Sequence, residues 1–117
     1  MIASNAFRGG GFTSVVIPDS VGAINQQAFG DNTALTEVTL GNSLTSIGSL
    51  AFHSNPDLTS IVIPESVTSI AGNAFYNTPL NTVVIGSSVT SIGAGAFNTV
   101  VGDIIFYKAS SRKLYYL

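Results

Sequence analysis

The chain has 117 residues, 45% of them hydrophobic and only 9% charged, with a formal net charge of −2. That balance is the opposite of a disordered composition, and it leaves no basic footprint for nucleic acid. The absence of cysteine excludes disulfide stapling and thiolate metal sites, and no apolar run approaches the ~18 residues of a membrane helix, so no membrane insertion is expected.

Residues 1–11, "MIASNAFRGGG", hold Ile2 and an Ala6-Phe7 pair with no strand ahead of them. They read as a partial N-terminal repeat, and they lack the long apolar stretch of a signal peptide. Four fuller units follow over residues 12–100. They open with "FTSVVIPDSV" at 12–21, "LTEVTLGNSL" at 35–44, "LTSIVIPESV" at 58–67 and "LNTVVIGSSV" at 80–89. Each closes on an Ala-Phe pair: Ala28-Phe29, Ala51-Phe52, Ala74-Phe75 and Ala96-Phe97. Counting from Ala6-Phe7, the pairs are spaced by 22, 23, 23 and 22 residues. An isoleucine (Ile2, Ile24, Ile47, Ile70, Ile92) stands four residues before each alanine. A fixed period in the low twenties marks a solenoid, in which one coil cannot bury its apolar side alone.

Within a unit the positions have distinct roles. Ile61 and Ile63 alternate with Ser60 and Val62, the period-two pattern of a short strand, and Leu58 joins them inside. Pro64 ends that strand because it has no N–H to donate, while Gly41 and Gly86 break it in other coils. Val67 and Ile70 return to the core, with a second short strand expected there. "AGNAF" at 71–75 is expected to form a short helical turn, with Phe75 inside and Ala74 small where backbones crowd. Phe29, Phe52, Phe75 and Phe97 are expected to stack as a continuous spine. Asn32, Asn55 and Asn77 follow a phenylalanine by three, three and two residues. They are expected to form a ladder between successive turns rather than to serve only as left-handed turn residues.

Residues 101–117 hold one last strand pattern, with Val101, Ile104 and Phe106, and then a tail. There Lys108, Arg112 and Lys113 gather beside Tyr107, Leu114, Tyr115, Tyr116 and Leu117. The expected role is a cap over the last coil, with Tyr107, Leu114, Tyr115 and Tyr116 as its cap or assembly residues. The other reading is an oligomerisation or anchoring segment. An uncovered edge at residues 12–17 makes a homo-oligomer possible.

"LTSIVIPESVTSIAGNAF" at 58–75 closely resembles the BspA-like leucine-rich repeat, whose consensus runs roughly L-x-x-I-x-I-P-x-S-V-x-x-I-x-x-x-A-F. The resemblance covers residues 12–100, with half a unit before it. It implies a right-handed leucine-rich-repeat solenoid, mainly β, of short parallel strands and turns, with about 4.5 repeats here. It also implies surface proteins of bacteria and some protists that bind host matrix proteins or other cells. The chain departs from the family's frequent "YGYxGS" closing tail, ending instead "DIIFYKASSRKLYYL".

Residues able to do chemistry are scarce. His53 is the only histidine and reads as a solvated turn residue. Asp19 and Glu65 share a repeat position, but Asn42 stands between them, so no carboxylate pair follows. No calcium or phosphate-loop motif occurs, and no N-x-S/T sequon. No catalytic, cofactor or metal residue is assigned. The candidate binding face is the outward strand strip Glu37, Thr39, Ser60, Val62, Thr82 and Val84, small and mildly apolar. Thr45, Thr68 and Thr90, with Ser46, Ser69 and Ser91, suggest hydroxyl ladders on another side. The expected function is non-enzymatic adhesion or recognition by a surface-exposed or secreted protein, with a protein or glycan ligand on a host or neighbouring cell. The alternative is a structural spacer or self-assembly module that stacks end to end.

Overall fold

The computed structural model describes the backbone of residues 1–108 and 113–116, and side chains as far as Phe106. Each coil contributes two strands separated by a tight turn. The first set is β1 (Ser14–Val16), β3 (Glu37–Thr39), β5 (Ser60–Ile63), β7 (Thr82–Ile85) and β9 (Asp103–Lys108). The second set is β2 (Ala23–Ile24), β4 (Ser46–Ile47), β6 (Ser69–Ile70) and β8 (Ser91–Ile92). Within each set, paired strands run parallel, as a coil that repeats its path must place them. The result is a parallel-strand β-solenoid of about four turns, and no helix occurs among the described residues. The short helical turn expected over 71–75 is a chain of hydrogen-bonded turns instead, as in Ala74 N–H to the Ala71 carbonyl at 3.3 Å.

The tail's backbone returns as β10 (Lys113–Tyr116), antiparallel to β9, with Leu114 opposite Tyr107 and Tyr116 opposite Ile105. The side chains of Tyr107, Leu114, Tyr115 and Tyr116, on which the capping expectation rests, lie outside the described residues.

The interior repeats as the sequence does. Leu35, Leu58 and Leu80 are fully buried, as are Phe52, Phe75, Ala28, Ala51 and Ala74. Phe7, Phe29, Phe52, Phe75 and Phe97 stack with ring centroids 5.2–5.3 Å apart and planes within 14° of parallel. The spine therefore includes Phe7, although its side is 46% exposed at the first coil. Backbone spacing sets this stack: each phenylalanine N–H donates to the carbonyl of the next coil's alanine, at 2.8–2.9 Å from Phe7 through Phe75. Alanine is required there because these two backbones meet directly.

Two left-handed residues bracket each of the first four corners, and one precedes the fifth. Two positions before the phenylalanine stand Asn5, Gln27, Leu50, Asn73 and Gly95, with φ between 58° and 72°. Two positions after it stand Gly9, Asp31, Ser54 and Asn77, with φ between 55° and 67°. Leucine pays a steric penalty in this region, so the surrounding coil imposes the conformation on Leu50.

The polar ladder inside the following turn differs from the expected trio. Asn32 and Asn55 are fully buried, and the third member is Thr78, not Asn77. Asn32 N–H donates to Asn55 Oδ1 at 2.9 Å, and Asn55 N–H donates to Thr78 Oγ1 at 3.2 Å. Asn55 Nδ2 donates to the carbonyls of Phe29 and Phe52, at 3.1 and 2.8 Å. Asn77 is exposed and left-handed, in the position of Ser54 one coil earlier. On the second-strand side the threonine ladder is present: the hydroxyls of Thr45, Thr68 and Thr90 donate to the carbonyls of Gly22, Thr45 and Thr68.

Candidate functional site

The strand face is built by alternation. Val15, Val38, Ile61 and Val83 turn inward, so their neighbours must face out. Glu37, Thr39, Ser60 and Thr82 are exposed, and Val62 is 60% exposed. Val84 is half-buried rather than fully outward, in a strand paired on both sides. The strip reads as two rows across the strands. One holds Ser14, Glu37, Ser60 and Thr82, the other Val16, Thr39, Val62 and Val84. Val16, 72% exposed, continues the apolar row onto β1, outward as its place in the strand alternation implies.

The sheet under this strip is interrupted. β1 pairs with β3, and β5, β7, β9 and β10 form a separate sheet, with no ladder joining β3 to β5. At the strand starts, Thr36 N–H donates to the Thr13 carbonyl and Asn81 N–H to the Thr59 carbonyl, but Thr59 makes no such bond to Thr36. At the turn after the strands, Asp19 accepts from Asn42 N–H at 2.7 Å and Glu65 accepts from Ser87 N–H at 3.1 Å. Asn42 and Glu65, the intervening pair, are not bonded to each other. A cleft of about 360 Å³ opens at this step, lined by Val38, Thr39, Leu40, Asn42, Val62, Pro64 and Glu65.

One repeat position alternates along these steps: Pro18, Gly41, Pro64, Gly86. Glycine sits tightly on the preceding proline. A Cβ at Gly41 would stand 2.6 Å from the Pro18 carbonyl oxygen, and one at Gly86 2.7 Å from that of Pro64. Gly86 N–H donates to the Ile63 carbonyl at 2.9 Å. Pro64, stacked on Gly41, has no hydrogen to offer the Leu40 carbonyl in the same way. Proline-to-glycine steps close, and the glycine-to-proline step stays open.

A second cluster lies on the loop edge beyond the phenylalanine spine. Arg8 Nε pairs with Asp31 Oδ2 at 2.8 Å, and Arg8 Nη1 donates to Gln27 Oε1 at 2.9 Å. Both ion-pair partners are about 40–46% exposed, so the pair contributes at most about 1 kcal/mol. His53 is not the solvated turn residue expected from sequence; it is 9% exposed, its ring laid against Gly30 in the coil before. A side chain at position 30 would occupy that space, which is why the histidine can turn inward.

His53 Nδ1 lies 3.1 Å from Ser54 Oγ, and on the same side 3.9 Å from Asp31 Oδ1. A hydrolytic triad needs the hydroxyl and the carboxylate on opposite ring nitrogens. Here both approach Nδ1, while Nε2 is buried without a partner. The cluster is built as packing, not as a nucleophile with its base. Among the described residues no group of three or more acidic or histidine side chains converges as metal ligands.

This architecture is that of a leucine-rich-repeat solenoid, a repeat scaffold whose usual work is binding and not catalysis. The family model for the BspA type leucine rich repeat region matches residues 1–114 in six copies, and the chain belongs to that family. Its members are typically surface repeat proteins. No curated protein and no solved structure matches the chain.

Proposed function

We propose that this chain is a non-enzymatic recognition module of a surface-exposed or secreted protein, and that its strand face, carrying Glu37, Thr39, Ser60, Val62, Thr82 and Val84, docks a protein or glycan partner. The observation that carries this reading is the row Val16, Thr39 and Val62, with the two valines 72% and 60% exposed on a surface that the interior does not need. A pull-down against matrix glycoproteins and cell-surface polysaccharides, comparing parent with Val62→Lys, tests it. Loss of capture with an unchanged melting curve is expected. Equal capture by both moves the site to the loops carrying Asp31, His53, Asp57 and Tyr76.

A second reading, a module stacking end to end with another copy, is favoured by the apolar hollow of about 380 Å³ beside Ile2, Phe7, Phe12, Val15 and Phe29. Light scattering separates the two: stacking gives a mass that grows with concentration, and a receptor module alone does not.

A further inference from the structure

Of the surface features, the open step between β3 and β5 is the one with a defined shape and, among the described side chains, a one-sided charge. We infer that the cleft at this step seats an apolar side chain of an extended basic peptide segment lying across the strand face, with a neighbouring lysine or arginine of that segment held by Glu65. The inference deepens the strand-face reading and rests on it.

Three observations support this occupant. The cleft is apolar along its walls, Val38, Leu40, Val62 and Pro64, with Thr39, Asn42 and Glu65 around them. Its volume of about 360 Å³ exceeds a single leucine-sized side chain, so the segment's own backbone fits partly within its mouth. Carboxylates stand at both ends of the strip: Glu37 at the strand starts, and Asp19 and Glu65 along the turn after them. Among residues with described side chains, Arg8 is the only lysine or arginine, and it is engaged by Asp31 and Gln27 on the loop edge. Glu65 holds Ser87 through Oε2 alone, leaving Oε1 with no bonded partner among the described residues. Among the described side chains the charges bordering the cleft are thus all acidic, and a cationic neighbour to the buried residue steers the segment and fixes its register.

Extended conformation follows from the same geometry. The cleft lies between two strands that run side by side without a ladder, and the exposed rows continue away from it on both sides. A helix presents neighbouring anchors at about 5–6 Å on one narrow stripe, whereas an extended chain presents alternate residues to one face, matching a flat strip of strands.

The test uses 15N-labelled protein and three synthetic acetylated octapeptides: alternating Lys-Leu, alternating Lys-Ser and alternating Glu-Leu. The Lys-Leu peptide is expected to shift the amides of Thr39, Leu40, Val62 and Glu65 together, and to bind at least about tenfold more tightly than the other two. Glu65→Lys is expected to weaken it about tenfold or more, while Asp31→Lys, the same change of charge on the loop edge, leaves affinity within about twofold. Equal binding of Lys-Ser, or an equal loss in Asp31→Lys, reduces the effect to bulk charge and overturns the inference. Preference for Glu-Leu at the same amides overturns the basic partner but keeps the strand face as the docking surface. Shifts confined to the loop edge, or no shift with any peptide, overturn the cleft as a site. The pull-down with Val62→Lys then decides the broader reading on its own.

Discussion

The step between the second and third coils is open on one side of the solenoid and closed on the other. On the strand side, β3 and β5 share no ladder and the turn bond is missing. On the far side, β4 and β6 pair in register, Phe52 and Phe75 stack at 5.3 Å and 5°, and Asn55 N–H donates to Thr78 Oγ1 at 3.2 Å. The coils are therefore fixed by the spine, the buried polar ladder and the second strands. The first strands are free to adjust, since losing one row of bonds does not unstack the rest. In a repeat protein the surface used for recognition can vary from coil to coil while the interior keeps one spacing.

The comparison breaks hardest if the spine fails. Phe75→Ala removes a fully buried ring stacked on both Phe52 and Phe97, and is expected to cost about 3–5 kcal/mol in denaturant melts. A loss below about 1 kcal/mol would show that the stack is not what holds the coils. Next comes the ladder. Asn55→Ala leaves the buried Asn32 N–H without its acceptor and removes one of two donors from each of the Phe29 and Phe52 carbonyls, which keep Asn32 Nδ2 and Thr78 Oγ1, for an expected loss of about 1–3 kcal/mol. Asn77→Ala, in an exposed left-handed position, is expected to cost under about 1 kcal/mol. Similar losses at both would return Asn77 to the ladder.

The proline and glycine alternation sharpens the comparison further. Gly86→Ala forces a methyl against the Pro64 carbonyl and is expected to destabilise by about 1–3 kcal/mol, opening the β5–β7 step. Pro64→Gly does the reverse. It restores an N–H that can reach the Leu40 carbonyl, with a net stability change within about 1 kcal/mol, since the new bond is offset by added chain freedom. The measurement is amide hydrogen exchange, where Ser60 to Ile63 should slow, and the new amide at residue 64 should be protected, if the step closes. Unchanged exchange there would mean that proline is not the cause of the opening.

The spine and the coil period were legible because one large side chain must recur wherever backbones stack, and Ala-Phe has no substitute in any unit. The ladder was half legible. Asn32 and Asn55 stand three residues after their phenylalanines, and applying that interval strictly points to Thr78, whose hydroxyl accepts from Asn55 N–H as Asn55 Oδ1 accepts from Asn32. Residue type drew attention to Asn77, and position overruled it. The left-handed corners were announced by Asn5, Asn73 and Gly95 but hidden at Leu50, where nothing in a leucine signals positive φ. His53 was misread because its burial depends on the absence of a side chain in another coil, at Gly30. The open step had a signal in plain view, since Pro18, Gly41, Pro64 and Gly86 alternate. Its meaning appears only when one asks which neighbour lies beneath each proline.

The hydrogen bonds that join coil to coil run along the solenoid axis, and this gives the interrupted sheet a mechanical meaning. Under tension applied along that axis, the bonds within one step share the force in parallel, while successive steps bear it in series. A series parts at its weakest member. Among the steps between full coils, step two to three, held by β4–β6, the Phe52–Phe75 corner and the Asn55–Thr78 bond but by nothing on the strand face, carries fewer backbone bonds against such a pull than the steps on either side of it. A stretched molecule is expected to yield first between Gly41 and Pro64, splaying like a book opened from the strand side with the spine of phenylalanines as its binding.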